Sequence, residues 1–183
     1  MRGEGKLSQL YKSQDFHMVK VLMFFLILLL FFKTFVFTVF VVDGHSMEPT
    51  LHDQDFIMID TWGYKYQPVE RFDVVVFKRR DGSYFVKRVI GLPGETIQYH
   101  QHTLYINNKP ISEGYLTKEE FSMMVDFDLR MIQEGQVIPE DHYFLLGDHR
   151  SRSLDSRNFG LIHKEQLTGR VMASYYPTMK WIQ

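Results

Sequence analysis

Cysteine is absent from the 183 residues. Disulfides, thiolate zinc sites and cysteine nucleophiles are therefore excluded. The chain also lacks a dominant charge: its formal net charge is -1, so nothing in the balance points to nucleic acid as a partner. Several catalytic signatures are missing. No H-E-x-x-H pair is present to seat a metal. There is no G-x-S-x-G elbow, and the eight histidines stand in no recognisable triad setting. No internal repeat, low-complexity linker or cofactor-binding pattern occurs. The length suits one domain with a real core.

What is present begins with a long apolar run. Residues 21–42 read VLMFFLILLLFFKTFVFTVFVV, interrupted by one charge at Lys33. At about 1.5 Å per residue, a helix of that length spans roughly 30 Å of hydrocarbon. The run has no polar stripe, unlike a core helix, and it is longer than a signal-peptide h-region. It is therefore expected to be a transmembrane helix. Lys33 would cost about 2.5–3.5 kcal/mol at the bilayer centre, which so apolar a run absorbs. Arg2, Lys6, Lys12 and Lys20 outnumber Glu4 and Asp15 before the run, whereas residues 43–183 carry an acidic excess. The positive-inside rule then makes 1–20 a cytoplasmic segment and places 43–183 outside the membrane.

Beyond Asp43 the pattern changes. Runs rich in Val, Ile, Tyr and Phe recur at 56–60, 73–77, 84–90, 95–99, 103–107, 143–146 and 169–176. Half-buried strands favour such residues. Asp81-Gly82 and Asn107-Asn108 are expected hairpin turns. Thr117 with Glu120 fits a capping box and hence a short helix. The expected fold class is mainly β: an antiparallel β catalytic domain preceded by one transmembrane helix.

Three stretches carry candidate chemistry. In GHSMEPTL (44–51), Ser46 lies between Gly44, which permits close backbone approach, and Pro49, which fixes the local path. Taken alone, the stretch reads more readily as an ordinary turn. A serine nucleophile needs a base, and a lysine supplies one in Ser/Lys dyads. Lys87, mid-strand among apolar residues, is the leading candidate, because burial favours its neutral amine. Alternation places Lys87 with Phe85 and Val89, and Arg88 with Val86 and Ile90, so periodicity does not choose between them. Chemistry does, since a guanidinium stays protonated. From pattern alone Lys87 reads equally as a surface lysine. In GDHRSRSLDSRNFG (147–160), Asp148, Arg150, Asp155 and Arg157 can form ion pairs that brace a loop, and Ser153 offers a hydroxyl to a lysine amine.

The apolar run followed at once by SMEPTL (46–51), then RFDVVVFK (71–78), KRVIGLPGE (87–95) and GDHRSRSLDSRNFG (147–160), resembles the type I signal peptidase family. The resemblance spans nearly all of residues 18–176, in the short, single-anchor form found in Gram-positive bacteria. It implies an antiparallel β fold and serine endopeptidase activity on secretory preproteins at the lipid bilayer, after small residues at −1 and −3, with no metal or cofactor. It also implies Ser46 as nucleophile, Lys87 as general base, Ser153 as the residue orienting the lysine, and Asp155 with Arg157 as a structural ion pair. The Ser46 backbone amide is the implied oxyanion donor. Three positions depart from the family pattern: Gly44, where some members have a serine completing the oxyanion hole, Phe72 in place of a glycine, and His149 in place of an asparagine. The alternatives are another Ser/Lys protease on a related β fold and a membrane-tethered binding protein without activity.

Overall fold

A computed structural model describes residues 17–30, 37–132 and 135–182. Residues 17–30 form helix α1. The strands follow as β1 (Phe37–Val41), β2 (Phe56–Asp60), β3 (Val74–Lys78), β4 (Tyr84–Gly91), β5 (Ile97–His100), β6 (Thr103–Ile106), β7 (Lys109–Ile111), β8 (Phe127–Asp128), β9 (His142–Leu146), β10 (Ile162–His163), β11 (Leu167–Tyr176) and β12 (Lys180–Trp181). Two short helices interrupt them, α2 (Lys118–Ser122) and α3 (Ser156–Phe159).

The apolar run does not stay helical to residue 42. Its last part, Phe37–Val41, is β1, paired residue for residue with β2 from Phe37↔Asp60 to Val41↔Phe56. Thr38, Val39 and Val41 are β-branched, and a neighbouring strand lets them pair rather than crowd a helix turn. The expected boundary of a helix at 21–42 is corrected accordingly. Among the described residues, no helix is long and apolar enough to cross a membrane. Lys33 and the basic residues Arg2, Lys6 and Lys12 lie outside the described residues.

All strand pairs are antiparallel. The larger, 8-stranded sheet runs β1-β2-β11-β3-β4-β9-β10, with β12 added beside β11. The smaller, 4-stranded sheet runs β7-β6-β5-β8. Asp81-Gly82 turns β3 into β4, with Gly82 at φ 89. Asn107 and Asn108 turn β6 into β7, both in the left-handed region at φ 50 and 62, as a type I′ hairpin requires. Thr117 caps α2 by accepting the Glu120 N–H at 3.2 Å.

Three buried clusters fix the sheets around the future site. Val74, Val76 and Ile59 of the large sheet pack on Met47 and Leu51. Those two residues follow Ser46 in the same loop, and with exposures of 1% and 0% they anchor that loop in the core. Ile90, Phe144 and Leu146 join the small sheet through Ile97, Tyr99 and Leu104. Val75, Phe77 and Val89 pack with Leu145 and Leu167. Burying one such side chain contributes about 1.5–3 kcal/mol, so each anchor is firm.

Candidate active site

The loop from Val42 to Asp55 carries Ser46. Its ends are tied together: Val42 N–H donates to Asp55 O and Gln54 N–H to Val42 O, both at 2.9 Å. Gly44 sits at φ 100, a conformation that favours glycine. Its N–H donates to Asp53 Oδ1 at 2.7 Å. That bond engages the Gly44 amide, and glycine has no side chain, so this arrangement gives Gly44 no free donor for an oxyanion. The Ser46 N–H has no acceptor among the described residues.

Lys87 comes from β4, 41 residues further along the chain. Its Nζ lies 2.7 Å from Ser46 Oγ and 2.8 Å from the Val86 carbonyl oxygen. The side chain is 1% exposed. Burial brings the Lys87 ammonium down from 10.5 to about 8, against the opposing pull of Asp155 and Asp148. The neutral amine is therefore accessible near neutral pH. No histidine hydrogen-bonds Ser46 Oγ among the described residues.

The polar stretch 147–160 closes over this pair. His149 N–H donates to Ser46 O at 3.1 Å. Asp155 is fully buried and caps α3. It accepts from Gly147 N–H at 3.1 Å, and from Arg157 through Nε and Nη2, both at 2.8 Å. The expected Asp155–Arg157 ion pair is thus formed, and it holds Gly147 beside Ser46. Ser153 makes no hydrogen bond to Lys87. Its Oγ is buried beside Gly147 and has no hydrogen-bond partner among the described residues. The second group on the Lys87 amine is the Val86 carbonyl instead.

Asp148 and Arg150 do not pair with each other. Asp148 receives Arg88 Nε at 2.9 Å and Nη2 at 2.7 Å, with all of these groups buried, and Thr50 Oγ1 at 2.5 Å. Arg150 donates to Glu113 Oε1 at 2.6 Å and to the Tyr115 and Tyr99 hydroxyls. Arg88, Thr50, Glu113 and Tyr115 were not singled out from the sequence. The available signal was Arg88 itself, an arginine alternating with Val86 and Ile90 on β4, which demands a partner once that face is covered. Lys87 and Arg88 point to opposite faces, and both are 1% exposed because each face is covered.

Phe72 occupies a left-handed conformation at φ 75. That conformation explains why a glycine suits this position. Its carbonyl accepts from Arg88 Nη1 at 2.8 Å, and its ring meets Tyr115 edge-on at 5.3 Å. Phe72 thus packs behind Arg88 rather than lining the open edge of β4. Among the described residues, no group of three or more His, Asp or Glu side chains could hold a metal ion.

This constellation can perform acyl transfer without a metal: a hydroxyl, a desolvated amine within hydrogen-bonding distance and a backbone donor. Comparison with known proteins identifies the family. Residues 16–176 match the family described as Signal peptidase, peptidase S26. The chain is 37% identical over 168 residues to Signal peptidase I of Bacillus amyloliquefaciens, covering 91% of this chain and 90% of that relative. It is 37% identical over 152 residues to Signal peptidase IB of Staphylococcus aureus, covering 78% of this chain and 80% of that relative. A crystal structure of a signal peptidase I from Enterococcus faecalis aligns with a TM-score of 0.52 and 39% identity, covering 57% of this chain and 97% of that chain. The chain belongs to the signal peptidase family, peptidase S26.

Proposed function

We propose that this protein is a type I signal peptidase that removes signal peptides from secretory preproteins, with Ser46 as nucleophile and neutral Lys87 as general base. The observation that carries this reading is the 2.7 Å approach of Lys87 Nζ to Ser46 Oγ, with the amine buried. The neutral amine takes the hydroxyl proton as Ser46 Oγ attacks the scissile carbonyl. The Ser46 N–H donates to the oxyanion. The lysine returns its proton to the leaving amine, and then activates water to release the acyl group. Ser153, buried and unpartnered close by, accepts a lysine N–H when the amine turns from Ser46 towards that water. Asp155 and Arg157 hold the surrounding loop.

The strand pairing supports an extended substrate. β3 pairs with β4 along Tyr84–Arg88, whereas β9 pairs only with its Arg88–Gly91 end. The second edge of Tyr84–Lys87 is left open to an added strand, which would lead a peptide past Ser46. Small side chains at −1 and −3 would sit closest to that edge.

The reading includes a bacterial cell-membrane location, with a single apolar anchor that contains α1, a cytoplasmic N-terminus and an extracytoplasmic catalytic domain. Support comes from the apolar run and from α1, where Leu22, Phe24 and Leu29 are 67%, 62% and 63% exposed. A helix that is apolar all round belongs in lipid or a protein core. Protease protection of tagged termini in membrane vesicles tests the orientation; a protected C-terminal domain in right-side-out vesicles would reverse it.

Activity is tested by incubating the detergent-solubilised protein with a preprotein carrying alanine at −1 and −3, and identifying the cut by mass spectrometry. Wild type should cleave after the −1 alanine, a bulky −1 residue should abolish cleavage, and Ser46→Ala should be inert while folded. Cleavage by folded Ser46→Ala would remove the nucleophile assignment. Binding without any cleavage by wild type would favour a membrane-tethered binding protein.

A further inference from the structure

Phe85 stands two residues before Lys87 on β4, so their side chains share a face. Lys87 Nζ lies 5.5 Å from the centre of the Phe85 ring. Lys87 is 1% exposed even though the second edge of Tyr84–Lys87 carries no strand among the described residues. A ring at that distance covers part of the amine that a missing strand would leave bare.

Phe85 is only partly buried, and three other segments hold its ring. Phe77, its register partner on β3, lies 5.9 Å away between ring centres. Phe159, at the end of α3, lies 6.3 Å away in an edge-on arrangement. The Arg79 guanidinium, from the turn between β3 and β4, sits 5.3 Å from the Phe85 ring and 5.5 Å from the Phe159 ring. Phe77 is fully buried and fixed in the core. Phe159 and Arg79 therefore form the outer part of the support.

The polar stretch 147–160 sets the position of Phe159. Asp155 caps α3, and its carbonyl accepts the Phe159 N–H at 3.1 Å. Ser156 Oγ accepts the Leu145 N–H at 3.0 Å, which ties α3 to β9. Phe159 and Arg79 also line a surface cleft of about 350 Å³ with Asp81, Leu161 and Gln166. Truncating Phe159 would extend that cleft towards Phe85 and bring water closer to the amine.

Two effects of the Phe85 ring on the amine oppose each other. An aromatic face attracts an ammonium, whereas displacing water from the ammonium disfavours it. Burial has the upper hand, since it brings Lys87 down to about 8. The charges that act the other way are Asp155 and Asp148, which favour the proton. Both are committed, to Arg157 and Arg88 respectively. β3 faces Lys87 with Val75, and the loop 42–55 faces it with the Ser46 hydroxyl, so neither adds a charge.

We propose that Phe159, with Arg79 stacked on it, is a positioning residue for the base: it keeps the Phe85 ring over Lys87 Nζ and so keeps water from the amine. The proposal rests on the reading of Lys87 as base, and it places part of the control of base strength on α3 and the turn between β3 and β4. Without the Phe159 ring, Phe85 is free to turn outward, the ammonium is hydrated, and more of Lys87 is protonated at neutral pH.

Two measurements test this. In the inactive Ser46→Ala protein carrying carbon-13 at the lysine ε positions, NMR follows the Lys87 titration directly, its signal being the one that Lys87→Met removes. Phe159→Ala should move that titration to higher pH by about one pH unit, whereas Phe159→Tyr, which keeps a ring, should leave it in place. Arg79→Lys keeps the charge but not the planar stack; at a side chain 37% exposed it spares the core, and it should move the titration upward by less. Because Phe159 acts through Phe85, Phe159→Ala should add nothing to the shift produced by Phe85→Ala. An unmoved titration in Phe159→Ala or Arg79→Lys, or additive shifts in the double variant, would overturn the proposal. In cleavage assays, kcat/KM reports the free enzyme. It should fall about tenfold at pH 7 in Phe159→Ala and return close to the wild-type value at strongly alkaline pH. An equal loss at every pH would mean that Phe159 only supports the fold, and would refute its positioning role. A shifted lysine titration beside an unshifted kcat/KM profile would count against Lys87 as the base and leave the aromatic support standing.

Discussion

Gly147→Ala probes how closely the polar loop is packed against the nucleophile. Gly147 follows β9 and contacts both the Ser46 carbonyl and Ser153. A methyl group added there would lie 2.5 Å from Ser153 Cβ, and nearer still to Ser153 Oγ and the Ser46 carbonyl oxygen. Ordinary contact begins at 3.4 Å, so relieving the Cβ contact alone takes a shift of about 0.9 Å. Rotating Ser153 clears its Oγ, but the Ser46 oxygen is backbone and cannot rotate away. The peptide carrying Ser46 must therefore retreat by about 1 Å, a displacement able to cost about a hundredfold in rate. Overpacking of this kind also destabilises by about 1–3 kcal/mol. The assay is preprotein cleavage at saturating and subsaturating substrate, alongside thermal unfolding. The expected result is a kcat reduced by about two orders of magnitude in a protein that still folds cooperatively. Adding Ser153→Ala should restore little, because the Ser46 oxygen remains in the way. Gly147→Ala retaining more than about a third of wild-type kcat would refute this reasoning.

Four further outcomes follow from contacts around the site. Activity should rise with pH through about 8 as Lys87 loses its proton, and a flat acid side from pH 6 to 9 would contradict a lysine base. Because burial depresses the folded Lys87 value below the unfolded one, the unfolded chain holds the proton more strongly between about 8 and 10.5, and stability rises with pH across that window. Lys87→Met should therefore be more stable than wild type at pH 7 by an amount on the order of 3 kcal/mol, an advantage that shrinks towards pH 10.5; a constant difference in urea unfolding would disprove the linkage. Asp148→Asn leaves the buried Arg88 without its counter-charge and should cost about 3–5 kcal/mol, whereas a loss below 1 kcal/mol would mean that water reaches the pair. Phe72→Gly relieves about 1 kcal/mol of left-handed strain but removes a ring packed on Tyr115 and the core, on the order of 2 kcal/mol. A small net loss is expected, and a gain would show that the ring contributes nothing.

The strands of the catalytic domain were the most legible feature. Each of the seven β-rich runs coincides with a strand, because β-branched and aromatic residues with turn signals between them leave little choice. β1 was hidden because Phe- and Val-rich strands and apolar helices look alike when both are continuous. β7, β8, β10 and β12 have two or three residues each, too few to show a period. The juxtaposition of Ser46 and Lys87 was not legible from spacing, since it arises where the loop carrying Ser46 folds onto β4, 41 residues further along the chain; the ordered motifs supplied it. Asp155 and Arg157 were readable because they stand only two positions apart. Arg88–Asp148 and Arg150–Glu113 were not, since buried charges are written with the same letters as solvated ones and only the tertiary fold distinguishes them. Ser153 illustrates the same limit: the motif led to an expected hydrogen bond to the lysine, but among the described residues its Oγ, although beside Gly147 at the site, has no hydrogen-bond partner.

The most direct test of the central claim is the single-turnover cleavage rate of folded Lys87→Met beside wild type, measured from pH 6 to 10. If Lys87 is the base for Ser46, cleavage should fall by about 10²–10⁴-fold or more at every pH, and the rise through pH 8 should disappear. A variant that still cleaves at a rate near wild type, or that keeps the same pH profile, would show that another group accepts the Ser46 proton.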